Sequence, residues 1–195
     1  MKSLKIELEL IEELLGTSAS DPEIHKQFIA TKSADKEKAK EELASLHTEE
    51  LVEKSMTIFP RENGNPFVWD YQIKGFFKDA CSMLRRLKSP KSAKIRAYKK
   101  VIDGLVFVKP RKILLDLKGK KMGNCQRPLR GQTAQGERIS LANSETIPVG
   151  STLKFEIVLL DESLEKVVKE WLDYGKLRGL GQWRNSGKGR FNYKM

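Results

Sequence analysis

The C-terminal quarter reads TLKFEIVLL (152–160), DESLEKVVKEWLDYG (161–175), KLRGLGQWRNSG (176–187) and KGRFNYK (188–194). The first block is rich in β-branched and apolar residues and predicts the clearest strand in the chain. In the second, Leu164, Val167, Val168, Trp171 and Leu172 fall on one helical face, and Gly175 reads as the helix stop. The third is a glycine-rich loop. The fourth alternates and predicts a final strand. The unit is therefore strand, helix, glycine loop, strand.

The same pattern opens the chain. In KSLKIELELI (2–11), Leu4, Ile6, Leu8 and Leu10 face one way and Lys5, Glu7 and Glu9 the other, as in a half-buried strand. GTSAS (16–20) breaks it, and Ser20 before Asp21-Pro22-Glu23 predicts a short helix over 21–30. Residues 34–54 carry Lys and Glu at helical spacing, so 20–55 reads as an acidic helical insertion. SMTIF (55–59) predicts a strand, and Asn63-Gly64 a tight hairpin. Residues 70–87 place Ile73, Phe76, Phe77, Ala80, Met83, Leu84 and Leu87 at helical spacing, with Asp70 as the expected cap. Residues 88–100 read as a basic connector. Residues 104–117 read as a strand that Pro110 divides or confines to an edge. Residues 118–136 have no apolar period and read as a loop or long hairpin tip, and 137–147 as extended chain. The order predicts one α+β domain over 1–195. It is a ferredoxin-like (RRM-like) antiparallel sheet with two main helices on one face and the other face open for binding.

The chain has 195 residues and a mass of 22.3 kDa, enough for one sizeable core. No run approaches a membrane span. The start mixes Glu and Lys through its apolar positions, unlike a secretory signal. Two cysteines far apart exclude a disulfide framework and a zinc spacing. These readings predict a soluble, cytoplasmic protein without a cofactor or metal.

Charge is strongly divided. Residues 1–60 sum to −5 and residues 61–195 to +16, giving +11. Residues 84–100, which include Arg85 and Arg86, hold eight basic residues and no acid, and 176–195 hold six and no acid. Residues 109–130 hold eight against Asp116 alone. Such segments suit a polyanion, because Lys and Arg displace counterions from phosphates. Solvated loops would carry the same charge.

Gly179, Gly181, Gly187 and Gly189 lie within eleven residues, interleaved with Arg178, Trp183, Arg184, Lys188 and Arg190. Glycines allow positive φ and close backbone approach, amides can face phosphate oxygens, and Trp183 offers a stacking face. The dinucleotide fingerprint needs strand, glycines, helix, and here the order is reversed. A Walker loop needs Ser or Thr where Gly189 stands.

The Gly-Leu-Gly, five residues, Gly-Lys-Gly-Arg-Phe pattern resembles the glycine-rich loop of the RAMP superfamily, the RNA-binding proteins of CRISPR effector complexes. Asn65-Pro66-Phe67-Val68 … Gln72-Ile73-Lys74-Gly75-Phe76-Phe77-Lys78 resembles the proline, apolar pair, Lys-Gly, helix segment of their backbone subunits. Glu145-Thr146-Ile147-Pro148-Val149-Gly150 … Phe155 resembles their lead into a strand. The three segments keep family order over 65–195.

The resemblance implies single-stranded RNA along a basic groove, with Lys74 and Lys78 facing phosphate from a helix and Arg178, Arg184 and Lys188 from the loop. It also implies self-association or assembly with other effector subunits. Arg127, Arg130 and Arg138 around Gly131-Gln132-Thr133 resemble an RNA-contacting thumb, or form a surface hairpin. The sequence departs from cleaving subunits, since Asp21 lacks their surrounding motif and His25 and His47 lie in the acidic insertion. The expectation is a non-catalytic single-stranded RNA binder. The rivals are a phage or mobile-element mimic that blocks effector assembly, a general single-strand binder, a metal-independent endoribonuclease and a protein scaffold.

Overall fold

The computed structural model describes residues 1–19, 56–88, 90–133 and 136–195. The expected acidic insertion over 20–55, with Asp21, His25 and His47, lies outside them.

Strand β1 (Lys2–Leu10) buries Leu4, Ile6, Leu8 and Leu10, as its alternation requires. It runs between β11 (Thr152–Leu159) and β12 (Phe191–Lys194), antiparallel to both. On the far side of β11 lie β7 (Val106–Lys109) and β8 (Lys112–Asp116), also antiparallel. Pro110 separates those two, as the sequence predicts. The second piece turns away to pair with β6 (Asn65–Trp69), which forms a hairpin with β5 (Arg61–Glu62) across Asn63-Gly64. These seven strands form one sheet.

Helix α1 (Asp70–Leu84) lies between β6 and β7 in sequence, and α3 (Glu165–Arg178) between β11 and β12. Both add buried side chains to the core formed by the inner face of this sheet. Phe77 meets Trp171 at 5.4 Å between ring centroids, and Phe76 meets Phe191 at 5.5 Å. Large aromatic contacts of this kind dominate the burial that holds helices on a sheet.

Four details differ from the sequence reading. First, Trp69, not Asp70, is the N-cap. The Trp69 amide donates to Gln72 Oε1 at 2.8 Å, so the residue three positions on closes the helix start. Asp70 is the first helical residue, and burial raises its carboxyl pKa. Second, Gly175 does not stop α3. A side chain there would run into the Phe191 ring, so the glycine permits close helix–strand contact, and the helix ends at Gly179 with φ 79°. Third, the basic connector contains a 3₁₀ turn (Lys91–Lys94) and helix α2 (Tyr98–Leu105). Tyr98, Val101, Ile102 and Leu105 form its apolar stripe, with Ile102 fully buried and the others packed partly buried against the core; the expected boundaries of the connector (88–100) and the strand (104–117) cut across that stripe.

Fourth, there is a second sheet. It holds β2 (Leu14–Leu15), β3 (Ser18–Ala19), β4 (Met56–Ile58), β9 (Gly123–Thr133) and β10 (Gly136–Ile147). β9 and β10 pair from Gly123 opposite Thr146 to Thr133 opposite Gly136, so residues 123–133, expected as a loop or hairpin tip, form one arm of a long hairpin. Buried Glu145 of β10 joins the two sheets: it accepts from the Phe59 amide at 2.9 Å and pairs with Arg61 of β5. The architecture is α+β, with predominantly antiparallel sheets and three α-helices among the described residues.

Candidate nucleic-acid interface

The glycine-rich segment folds into a closed loop. Its neck is the Leu180 amide donating to the Gly189 carbonyl at 2.8 Å. A side chain at Gly179 or Gly189 would collide with the opposing backbone, so both glycines are needed for the chain to close. The loop is tied to the start of the chain: Gly189 N–H donates to Glu13 O at 2.8 Å, and Gln182 Nε2 to Gly16 O at 2.7 Å. The amides of Gly179, Leu180, Ser186, Gly187 and Gly189 all donate within the protein. Those amides are therefore occupied, and Gly179 and Gly189 serve close packing.

Trp183 stands at the loop's apex with φ 52° and 41% exposure. Its ring lies over the Arg127 guanidinium, 5.0 Å from the ring centroid. Arg127 is buried, donates to Gln182 Oε1 at 3.0 Å, and its Nε has no partner among the described residues. The β9–β10 hairpin and the glycine loop are thereby locked together.

Helix α1 turns Gln72, Gly75, Phe76 and Asp79, spaced three and four apart, towards this loop. Asp79 receives both Arg184 (2.7 Å) and Arg178 (3.2 Å) on one carboxylate oxygen, leaving a surplus positive charge. Between α1, β2 and the loop lies a cleft of about 390 Å³. Leu15, Phe59, Val68, Phe76 and Leu180 line it with apolar surface, and Thr17, Gln72 and Arg184 supply polar groups. Gln72 Nε2 donates to Thr17 Oγ1 at 2.6 Å, which fixes the amide's orientation. Gly75 faces open space: a Cβ there meets no atom within 4 Å. Tyr71 stands exposed at the rim, stacked on Trp69 with 6.1 Å between centroids.

The sequence-derived residues do not form one cluster. Arg178, Gly179, Gly181, Trp183, Arg184, Gly187, Lys188 and Arg190 share the loop, with Arg127 beneath. Lys188 pairs with Glu13 at 2.8 Å, and that hydrogen bond raises its pKa. Arg190 Nε donates to the Leu177 carbonyl. Lys74 and Lys78 instead turn to α2. Lys74 donates to Asp103 O at 3.2 Å, and burial lowers its pKa; Lys78 pairs with the Asp103 carboxylate at 2.6 Å. Arg85 and Arg86 lie beyond α1, and Arg130 lies on β9 opposite Ile139. Asp79, Glu13 and Asp103, which organise the basic residues, carry no motif of their own in the sequence.

The open face of the seven-stranded sheet, expected to be free for binding, alternates in sign. Register places Lys5 opposite Glu156, Glu7 opposite Lys154 and Lys194, and Glu156 opposite Lys109. Such pairing neutralises the face and leaves little net attraction for a phosphate chain. Among the described residues, no group of three His, Cys, Asp or Glu side chains is placed to hold a metal, and no helix is long and apolar enough to cross a membrane.

The whole chain superposes on 60% of a chain from the cryo-EM structure of Type III-B Cmr-beta bound to cognate target RNA, with a TM-score of 0.55 at 14% identity. The two chains share a fold. Crystalline Cmr6 from Pyrococcus furiosus aligns over 97% of both chains, with a TM-score of 0.48 and 12% identity. The chain thus spans about three-fifths of the Cmr-beta chain it matches. No protein-family model matches it, and no curated protein matches it by sequence. The topology accounts for the placement of the glycine loop: the chain leaves α3 at Gly179 and must return to pair β12 with β1.

Proposed function

We propose that this protein is a non-catalytic single-stranded RNA-binding subunit of CRISPR-effector type, soluble and cytoplasmic, acting with further copies or other effector subunits. In this reading residues 1–195 are one domain with a ferredoxin-like core. The strand order β12–β1–β11–β7, with α1 and α3 as the two crossovers, supports that core. Residues 20–55 are an insertion in it.

The observation that carries the functional reading is the cleft between α1 and the glycine loop. It joins an apolar floor, an exposed tyrosine at its rim and Arg184, which shares the Asp79 carboxylate with Arg178. Bases stack on aromatic and apolar surface while arginines meet the backbone, which is the recognition mode for unpaired strands.

Fluorescence anisotropy with single-stranded RNA, single-stranded DNA and duplex at two salt concentrations tests this. The expected result is salt-sensitive binding with RNA single strands preferred. Gly75→Leu supplies the local test. Its side chain enters open space and improves helix propensity, so the fold is kept while the cleft is filled. A loss of affinity of about tenfold is expected, corresponding to one stacked base. Absence of RNA binding at low salt would overturn the proposal.

A further inference from the structure

The chain between α1 and β7 forms a ledge of different character from the glycine-loop site. Arg85, Arg86, Lys88, Lys91, Lys94, Arg96, Lys99 and Lys100 are all exposed. None of the eight makes an ion pair with another described residue. Arg85 alone has a ring contact, with its guanidinium 5.3 Å from the Tyr98 centroid. Elsewhere the basic groups of interest are paired: Lys78 with Asp103, Arg178 and Arg184 with Asp79, Lys188 with Glu13. Unpaired exposed cations offer the strongest attraction to a phosphate chain, because binding breaks no internal ion pair.

The ledge is also fixed in place. Glu170 of α3 accepts from the Lys91 amide at 2.9 Å, from the Ser92 amide at 3.0 Å, and from the Ser92 hydroxyl. Trp171 Nε1 donates to Ser92 Oγ at 3.0 Å, and Ser92 is fully buried. These bonds occupy the carboxylate beneath the ledge with backbone and hydroxyl donors, so the lysine ammonium groups remain outside. Ile102 anchors α2 in the core on the other side. Charges held on fixed backbone lose less freedom on binding than charges on a loose tail.

We infer that this ledge is a phosphate-binding track for single-stranded RNA, separate from the glycine-loop cleft. The inference rests on the single-strand reading of that cleft. A bilayer is the poorer match: Leu87 is the one large apolar residue exposed on the ledge, and interfacial insertion needs an apolar face.

The test uses the full chain carrying Lys91→Gln, Lys94→Gln and Arg96→Gln together. All three side chains are exposed, so thermal melting should match the wild type. The slope of log affinity against log salt is expected to fall by about 2, at about 0.7 per single-strand phosphate contact. Gly75→Leu run alongside should weaken binding and leave that slope unchanged. A triple variant with the wild-type slope, beside a weakened Gly75→Leu, would overturn the ledge and leave the cleft standing. Loss of pelleting with phosphatidylserine vesicles at an unchanged RNA slope would also overturn it. Absence of RNA binding by the wild type would remove both readings together.

Discussion

Trp183 holds a left-handed backbone conformation, which a bulky residue adopts only under constraint from its surroundings. The constraint here is the loop neck at Leu180–Gly189 and the Arg127 side chain under the ring. Trp183→Gly relieves the strained φ but loses the ring contact with Arg127, so the melting temperature should change little, while RNA affinity should drop by about 1–3 kcal/mol. Unchanged affinity would place the bases elsewhere. Asp79 offers the converse test. It draws Arg178 and Arg184 together but also competes with any incoming phosphate. Asp79→Asn removes that competition, and RNA affinity should rise several-fold with a steeper salt slope. The stability cost should stay near 1 kcal/mol, since the group is partly exposed and its ion pairs are screened. Weaker binding by Asp79→Asn would mean that the arginines need their carboxylate in order to be positioned.

At the level of elements, α3 and β12 meet through Gly175, where the Phe191 ring occupies the space a side chain would need. Gly175→Ala should improve helix propensity yet destabilise the protein by about 1–3 kcal/mol through overpacking, as urea denaturation would measure. A more stable variant would show that the ring can turn aside. The same glycine marks a boundary of what sequence can reveal. Strands β1 and β11 and helices α1 and α3 each have one buried face, so their periodicity is plain. Gly175 reads as a stop because stop and close contact use the same residue. The β9 strand alternates in exposure, with Asn124, Gln126 and Pro128 exposed and Cys125 and Arg127 turned inward, but its most buried position holds an arginine, so no apolar period marks it in the sequence. The two-residue strands β2 and β3 are too short to have a period at all. Within the site, the glycines and arginines were legible as a motif. Their carboxylate partners Asp79 and Glu13 were not, since the role of each comes from chain segments about 100 to 175 residues away.

Across the whole molecule, two sheets of different size share one core, to which Leu14 and Ile147 of the smaller sheet contribute. β1 passes into β2 through Leu10–Leu14, and the Gly16 amide donates to the Glu145 carbonyl at 2.9 Å. The Glu145 side chain then spans to the other sheet, taking the Phe59 amide and the Arg61 guanidinium. The pair lies well inside the protein, with side-chain exposures of 5% and 15%. Removal of this buried carboxylate strands a cation that has little access to water. Glu145→Gln keeps the shape and an acceptor for Phe59 but loses the charge opposite Arg61. A loss of about 3 kcal/mol is expected, which for a domain of this size lowers the melting temperature by roughly 6–12 °C. Because the glycine loop leans on the Glu13–Gly16 segment, which the same residue holds, RNA affinity should fall alongside stability. In Gly175→Ala, by contrast, the junction is intact and RNA affinity should be retained wherever the protein is folded. Comparing the two variants at matched fractions folded distinguishes a junction that positions the cleft from one that only adds stability. Equal affinities at matched folding would show that the cleft is set by the seven-stranded sheet and its helices alone.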